Sequence, residues 1–74
     1  MDYNEEKINQ LLDIYGMDFD DACDEFILES VVPGICMNEG CDYVTEVEPD
    51  QDRGWCEECG TNTVVSFNML VGFI

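Results

Sequence analysis

The chain has 74 residues and a mass of 8.4 kDa, with 18 acidic and two basic side chains, no histidine, five cysteines and a formal net charge of −16. That length allows one domain. Below about 80 residues an apolar core alone rarely supplies more than about 3–5 kcal/mol, so a staple of some kind is expected. A hydrophobic content of 46% argues against wholesale disorder, and the charge excludes ordinary affinity for nucleic acid or an anionic membrane, both of the same sign.

Ile8, Leu11, Leu12 and Tyr15 fall at i, i+3, i+4 and i+7, one apolar stripe at helical period. Gly16 supplies a stop. Asp18 suits an N-cap, and Asp20 and Asp21 suit the positive end of a following helix. In that second helix Phe19, Ala22, Cys23, Phe26 and Ile27 repeat the stripe, and Val31-Val32-Pro33-Gly34 ends it, since the residue before proline is pushed toward extended geometry. The period then changes. Tyr43 to Val47 alternates and is β-branched, as a strand requires, and Pro49-Asp50-Gln51-Asp52 is turn chemistry. Gly54-Trp55 leads into Cys56, and Thr61 to Phe67 reads as another strand. Asn68 to Ile74 fits either a strand continuation or one apolar helical turn.

Cys36 and Cys41 form a C-x4-C pair, and Cys56 and Cys59 form a C-x2-C pair after a hairpin-sized insert. Two close cysteine pairs bridged by a hairpin can present four sulfurs to one tetrahedral zinc at about 2.3 Å each. Gly40 and Gly60, each beside a ligand, fit tight loops with positive φ. Structural zinc is worth about 10–16 kcal/mol in small peptides at neutral pH, which provides the staple the length demands. The competing readings are four buried or disulfide-bonded cysteines, or iron in a rubredoxin-like site. Cys23, on the apolar stripe, reads as a small buried hydrophobe.

Four thiolates close a zinc shell, leaving no open position for a reacting water. With no histidine and no nucleophile–base constellation, the sequence offers no catalytic residues and reads as non-enzymatic. Zinc with four thiolates carries −2, and Glu39, Asp42, Glu57 and Glu58 add negative charge around it. This predicts raised thiol pKa values and acid-sensitive metal retention.

From Pro33-Gly34-Ile35-Cys36 through Cys41, Thr45 to Asp50, Gly54-Trp55-Cys56-Glu57-Glu58-Cys59 and Thr61-Asn62-Thr63-Val64, the sequence resembles the zinc ribbon of small acidic proteins encoded by bacteria and their phages. The resemblance covers about the last forty residues. It implies one structural Zn2+ held by Cys36, Cys41, Cys56 and Cys59 behind a short helical leader, and nothing catalytic. The expected fold is α+β: an acidic helical hairpin over residues 1–32 packed on a zinc ribbon over 33–74, built on a β-hairpin or three-stranded sheet, as one compact unit. Trp55, Tyr43, Val64 and Phe67 are expected in the ribbon core, with Leu12, Tyr15, Phe19 and Phe26 joining the halves.

Two helices meeting near Gly16 are poor DNA readers, because Asp20, Asp21, Asp24, Glu25 and Glu29 would face phosphate. Like-charge pairs four residues apart on that helix cost about 0.2–0.5 kcal/mol each, so local stability does not explain them. Either they keep a small protein dispersed or they face a basic partner. A globule of this length has a radius of gyration near 11 Å, and its charge per length approaches the one per about 1.7 Å of duplex DNA. That match permits nucleic-acid mimicry, and the expectation is a module that binds and modulates or inhibits a basic nucleic-acid-handling protein. The resemblance implies as its setting a phage factor acting in a bacterial cytoplasm. The alternative is a structural subunit or adaptor docking by Phe67, Met69, Leu70, Val71, Phe73 and Ile74. Met1 to Gln10 holds three acids and no long apolar run, unlike a secretory leader, and no stretch is long enough to span a bilayer.

Overall fold

A computed structural model describes residues 3–72, except for the side chain of Tyr3. Helix α1 (Tyr3–Tyr15) and helix α2 (Phe19–Phe26) precede strands β1 (Val32–Cys36), β2 (Val44–Val47), β3 (Gly54–Cys56) and β4 (Thr61–Ser66), and helix α3 (Phe67–Val71) follows. The protein is α+β, with a four-stranded antiparallel sheet in the order β2-β1-β4-β3. Its Cα radius of gyration is 11.0 Å.

Local chemistry sets the helix ends. Gly16 takes φ +67° and stops α1. Asp18 caps α2 by accepting the Asp21 N–H at 2.9 Å. Helix α2 ends at Phe26, short of the Val31-Val32-Pro33-Gly34 terminator, so Glu29 lies beyond the helix and its i, i+4 pairing with Glu25 does not form. The segment read as a terminator instead supplies the start of β1, a central strand, and the sheet has four strands rather than two or three.

Two features let a Pro-Gly pair enter a central strand. Proline lacks a donor and is tolerated near the start of a strand, and pairing with β4 begins only at Gly34. Gly34 itself faces valines on both neighbouring strands. A Cβ there would lie 2.8 Å from Val47 Cγ2 and 2.9 Å from Val64 Cγ1, so the close approach needs a residue without a side chain.

Helices and sheet share one apolar cluster: Ile8, Leu11 and Leu12 of α1, Ala22 and Phe26 of α2, Val32 and Ile35 of β1, and Phe67 of α3. Phe67 is fully buried and meets the Phe26 ring edge-on, with centroids 5.5 Å apart. A second cluster holds Cys36, Cys41, Cys56 and Val64, with Tyr43 and Val47 against it. Three expected core positions are displaced outward. Trp55 is 55% exposed because it is the outward residue of the three in β3, Gly54 and Cys56 being buried. Tyr15 ends α1 at the rim and stays 40% exposed, and Phe19 is 48% exposed although its ring reaches Phe67 at 6.3 Å.

The tail turns helical at Phe67. Ser66, wholly buried, caps α3 by accepting the Met69 N–H at 3.1 Å while its hydroxyl donates to the Pro49 carbonyl at 2.5 Å. Phe67 and Asn68 are buried, and Leu70 and Val71 pack on the helical core, so the described part of the tail completes the protein's own interior. Phe73 and Ile74, read as docking residues, lie outside the described residues.

Candidate metal centre

The pairing of β1, β4 and β3 brings the two cysteine pairs together. Cys36 ends β1 and Cys56 ends β3, with β4 between them, so two of the four cysteines sit at strand ends and two in the loops that follow. In the first loop Cys36 N–H donates to the Tyr43 carbonyl at 2.9 Å and Cys41 N–H to the Asn38 carbonyl at 3.1 Å. In the second, Gly60 N–H donates to the Cys56 carbonyl at 2.8 Å, and Cys59 N–H points at Cys56 Sγ, 3.3 Å away. Gly40 and Gly60 turn both loops with φ of +82° and +68°, as expected from their places beside a cysteine.

The four sulfurs lie within 4.8 Å of one another. Cys36 and Cys59 sulfurs are 3.8 Å apart, as are those of Cys41 and Cys56. A disulfide requires about 2.05 Å, so neither pair is bonded. The edge of a tetrahedron with metal–sulfur bonds of about 2.3 Å is about 3.8 Å. Two of the separations therefore match that edge, and the group of four is compatible with a single metal ion. Cys36 and Cys56 are fully buried, Cys41 nearly so, and Cys59 is exposed. Cys23 stands apart from this group, half-buried against the helical core.

Hydrogen bonds extend outward from the sulfurs. Thr63 Oγ1 lies 3.1 Å from Cys36 Sγ, and its hydroxyl donates when that sulfur is a thiolate. Thr61 Oγ1 is 3.0 Å from Thr63 Oγ1, and the Asn38 amide donates to Thr61 Oγ1 at 3.2 Å. This ladder across β4 fixes the first loop on the sheet and aims donors at the metal site.

The thiols differ in acidity, and the cause is not the one expected from the surrounding acids. Burial pushes the Cys36 thiol up, but hydrogen bonds from the Thr63 side chain, the Asn38 backbone and neighbouring sulfurs outweigh it and bring the pKa down to about 7. At Cys41 a backbone hydrogen bond from Tyr43 favours the thiolate, yet burial and the sulfurs of Cys59, Cys36 and Cys56 push the pKa up to about 12. Burial also raises Cys56. Glu39, Asp42, Glu57 and Glu58 are all exposed, where solvent screens them, and they are not the source of these shifts.

One residue of the site escaped the sequence reading. Lys7, the chain's only lysine, is 2% exposed. Its ammonium donates to the carbonyls of Asn38 at 2.8 Å and Cys41 at 2.6 Å, both in the first cysteine loop. The signal was present: Lys7 sits four residues before Leu11, on the buried face of α1.

Of the five acids expected to face a partner, four converge on one hollow and Asp20 does not line it. Asp20, Asp21, Asp24, Glu25 and Glu29 are all exposed. Asp21, Asp24, Glu25 and Glu29, with Asp18, Met17 and Gly16, line an open concavity of about 620 Å³. None belongs to the metal centre. Among the described residues no helix is long and apolar enough to cross a membrane. Comparison of the chain with protein-family models, curated proteins and solved structures returns no match.

Proposed function

We propose that the chain is a zinc-stapled, non-enzymatic interaction module that presents an acidic surface to a basic protein. The preference for Zn2+ over iron rests on the unequal loops, since rubredoxin-like sites use two C-x2-C pairs, and the ribbon resemblance points the same way. Metal analysis of protein purified without added metal distinguishes the two.

The observation that supports the interaction role is the concavity lined by Asp18, Asp21, Asp24, Glu25 and Glu29. Carboxylates converging on one hollow repel one another and add nothing to the cap that Asp18 already provides. A cationic partner would relieve that repulsion. The proposed partner is a nucleic-acid-handling protein whose basic groove accepts the acidic face in place of phosphate, with modulation or inhibition as the outcome. Association of this kind is fast and falls steeply with salt.

The test is capture of partners from a host lysate on immobilised protein at low and at high salt. It is repeated with Asp20→Asn, Asp21→Asn, Asp24→Asn and Glu25→Gln combined. Salt-sensitive capture that the quadruple variant loses, at unchanged metal content, supports the reading; equal capture by both proteins retires it.

A further inference from the structure

One hollow on the acidic surface is not purely acidic. It lies where the ends of α1 and α2 meet the paired strands β1 and β2, and it encloses about 260 Å³. Phe26 and Pro33, both buried, form its apolar inner side, with Tyr15 and Val31 half-exposed beside them. Glu25, Glu29 and Glu46 add three exposed carboxylates, and no basic side chain lines it. Strand register brings Glu46 there, since it stands opposite Pro33 in the β1–β2 pairing. Its charge reaches the aromatic ring: burial first, and then Glu46, pushes the Tyr15 phenol up. Glu25 and Glu29 also line the larger concavity, so the two hollows adjoin.

Carboxylates standing in for phosphate account for the larger concavity but give no use to an apolar recess beside it. An occupant has to satisfy both halves. The volume is below the roughly 300–1,000 Å³ of small-molecule sites, so it suits one side chain of a partner rather than a free ligand. A second copy of this chain carries the same −16 and is repelled. Lysine and arginine both bring an apolar stem and a cationic head. Arginine alone brings a planar, weakly hydrated head that stacks on an aromatic ring while its N–H fork reaches carboxylates.

From this juxtaposition we infer that the groove receives one arginine side chain from an exposed segment of the basic partner. Its stem lies against Val31 and Pro33, and its guanidinium sits among Tyr15, Glu25, Glu29 and Glu46. The inference rests on the acidic face being the partner surface, and it adds the residue by which that partner is recognised.

Two capped peptides of alternating alanine and one basic residue test it, arginine in the first and lysine in the second, equal in length and charge. Each is titrated into the full chain at low salt by calorimetry. The proteins are the unaltered chain, Tyr15→Leu, Tyr15→Phe, Glu46→Gln and Asp52→Asn. Asp52 is an exposed acid beside β3, at the opposite edge of the sheet from β2, and lines neither hollow. A cation on an exposed aromatic face is worth about two- to fivefold in affinity, so the arginine peptide should bind more tightly than the lysine peptide by that factor. Tyr15→Leu should remove the preference and Tyr15→Phe should restore it. Glu46→Gln should weaken the arginine peptide by up to about fivefold, the range of an exposed ion pair, and by more than Asp52→Asn does. Amide resonances of Val31 and Glu46 should shift as the arginine peptide is added.

Equal affinities for the two peptides overturn the inference. So does a preference that Tyr15→Leu retains, and so do equal losses in Glu46→Gln and Asp52→Asn. If Tyr15→Leu does not fold, the comparison of Glu46→Gln with Asp52→Asn and the Val31 resonance decide alone. Equal affinities that both fall in the quadruple acidic variant leave the acidic surface standing without the arginine groove. Absence of binding by either peptide removes both readings.

Discussion

The side-chain amide of Asn68 donates to the carbonyl of Phe26 across 3.1 Å, linking residues 42 apart in sequence. Phe26 is the last residue of α2, so its carbonyl belongs to the group that a helix end leaves without an internal partner. Asn68, 3% exposed in the first turn of α3, donates to it beside the longer 3.4 Å bond from Glu29 N–H, and the C-terminal turn is thereby fastened to the acidic helix.

Asn68→Ala therefore leaves that carbonyl with only the longer bond from Glu29 N–H at 3.4 Å. Losing one such hydrogen bond costs about 0.5–1.5 kcal/mol. In a domain of this size 1 kcal/mol moves the melting temperature by about 4–8 °C. Thermal unfolding of the metal-loaded variant should show a fall of a few degrees at unchanged metal content. An unchanged melting temperature contradicts the assigned role.

Gly34 is held by sterics alone, since its φ is not in the left-handed region. Gly34→Ala forces a methyl against Val47, Val64 and the Val65 carbonyl, all within 3.1 Å of the added Cβ. Overpacking of this kind costs about 1–3 kcal/mol. Gly34→Ala combined with Val64→Ala should recover part of the loss, because Val64 Cγ1 is one of the colliding atoms. Denaturant melts of the single and double variants check this, and additive losses count against it.

Thr63 is the donor to the Cys36 thiolate and the middle of the ladder from Asn38 to the sulfur. Thr63→Val keeps the β-branched shape and removes the hydroxyl. Metal affinity should fall by about tenfold, the lower end of outer-shell effects, and Thr63→Ser should restore it. Competition titration with a chelator gives both numbers.

Metal affinity should rise with pH. In the metal-free chain Cys41 is raised to about 12 and Cys56 is also raised, so both hold protons at neutral pH that binding must displace. The logarithm of the affinity should climb by at least about two per pH unit there, steepening below pH 7 as Cys36 takes up its proton as well. For the loaded fold the sign is that of depressed groups. The unfolded chain binds protons that the metal-bound thiolates do not, so stability is present at high pH and lost as pH falls. Metal release followed against pH tests this, and a flat profile between pH 6 and 8 would refute it.

Much of the metal centre is written locally. C-x4-C and C-x2-C each place two sulfurs in one tight loop, and Gly40 and Gly60 mark those turns because their backbone needs positive φ. The helices were legible for the same reason: Ile8, Leu11 and Leu12 declare a face by spacing, and Asp18 declares a cap. Tertiary structure alone decided the rest. The insert between the cysteine pairs is not the expected hairpin, since β2 and β3 lie at opposite edges of the sheet, and it is the pairing of β1 with β4 that brings the two loops together. Val32-Pro33-Gly34 reads as a chain breaker until Val47 and Val64 close on Gly34 from both sides, which turns the missing side chain into a requirement of a central strand. Trp55 reads as core until the alternation of a three-residue strand sends it outward. Lys7 shares a helix face with Leu11 by spacing, but only the approach of a loop more than thirty residues away places it beside the cysteines. Local spacing fixes which side chains share a face. What that face meets depends on pairings that no short window of sequence contains.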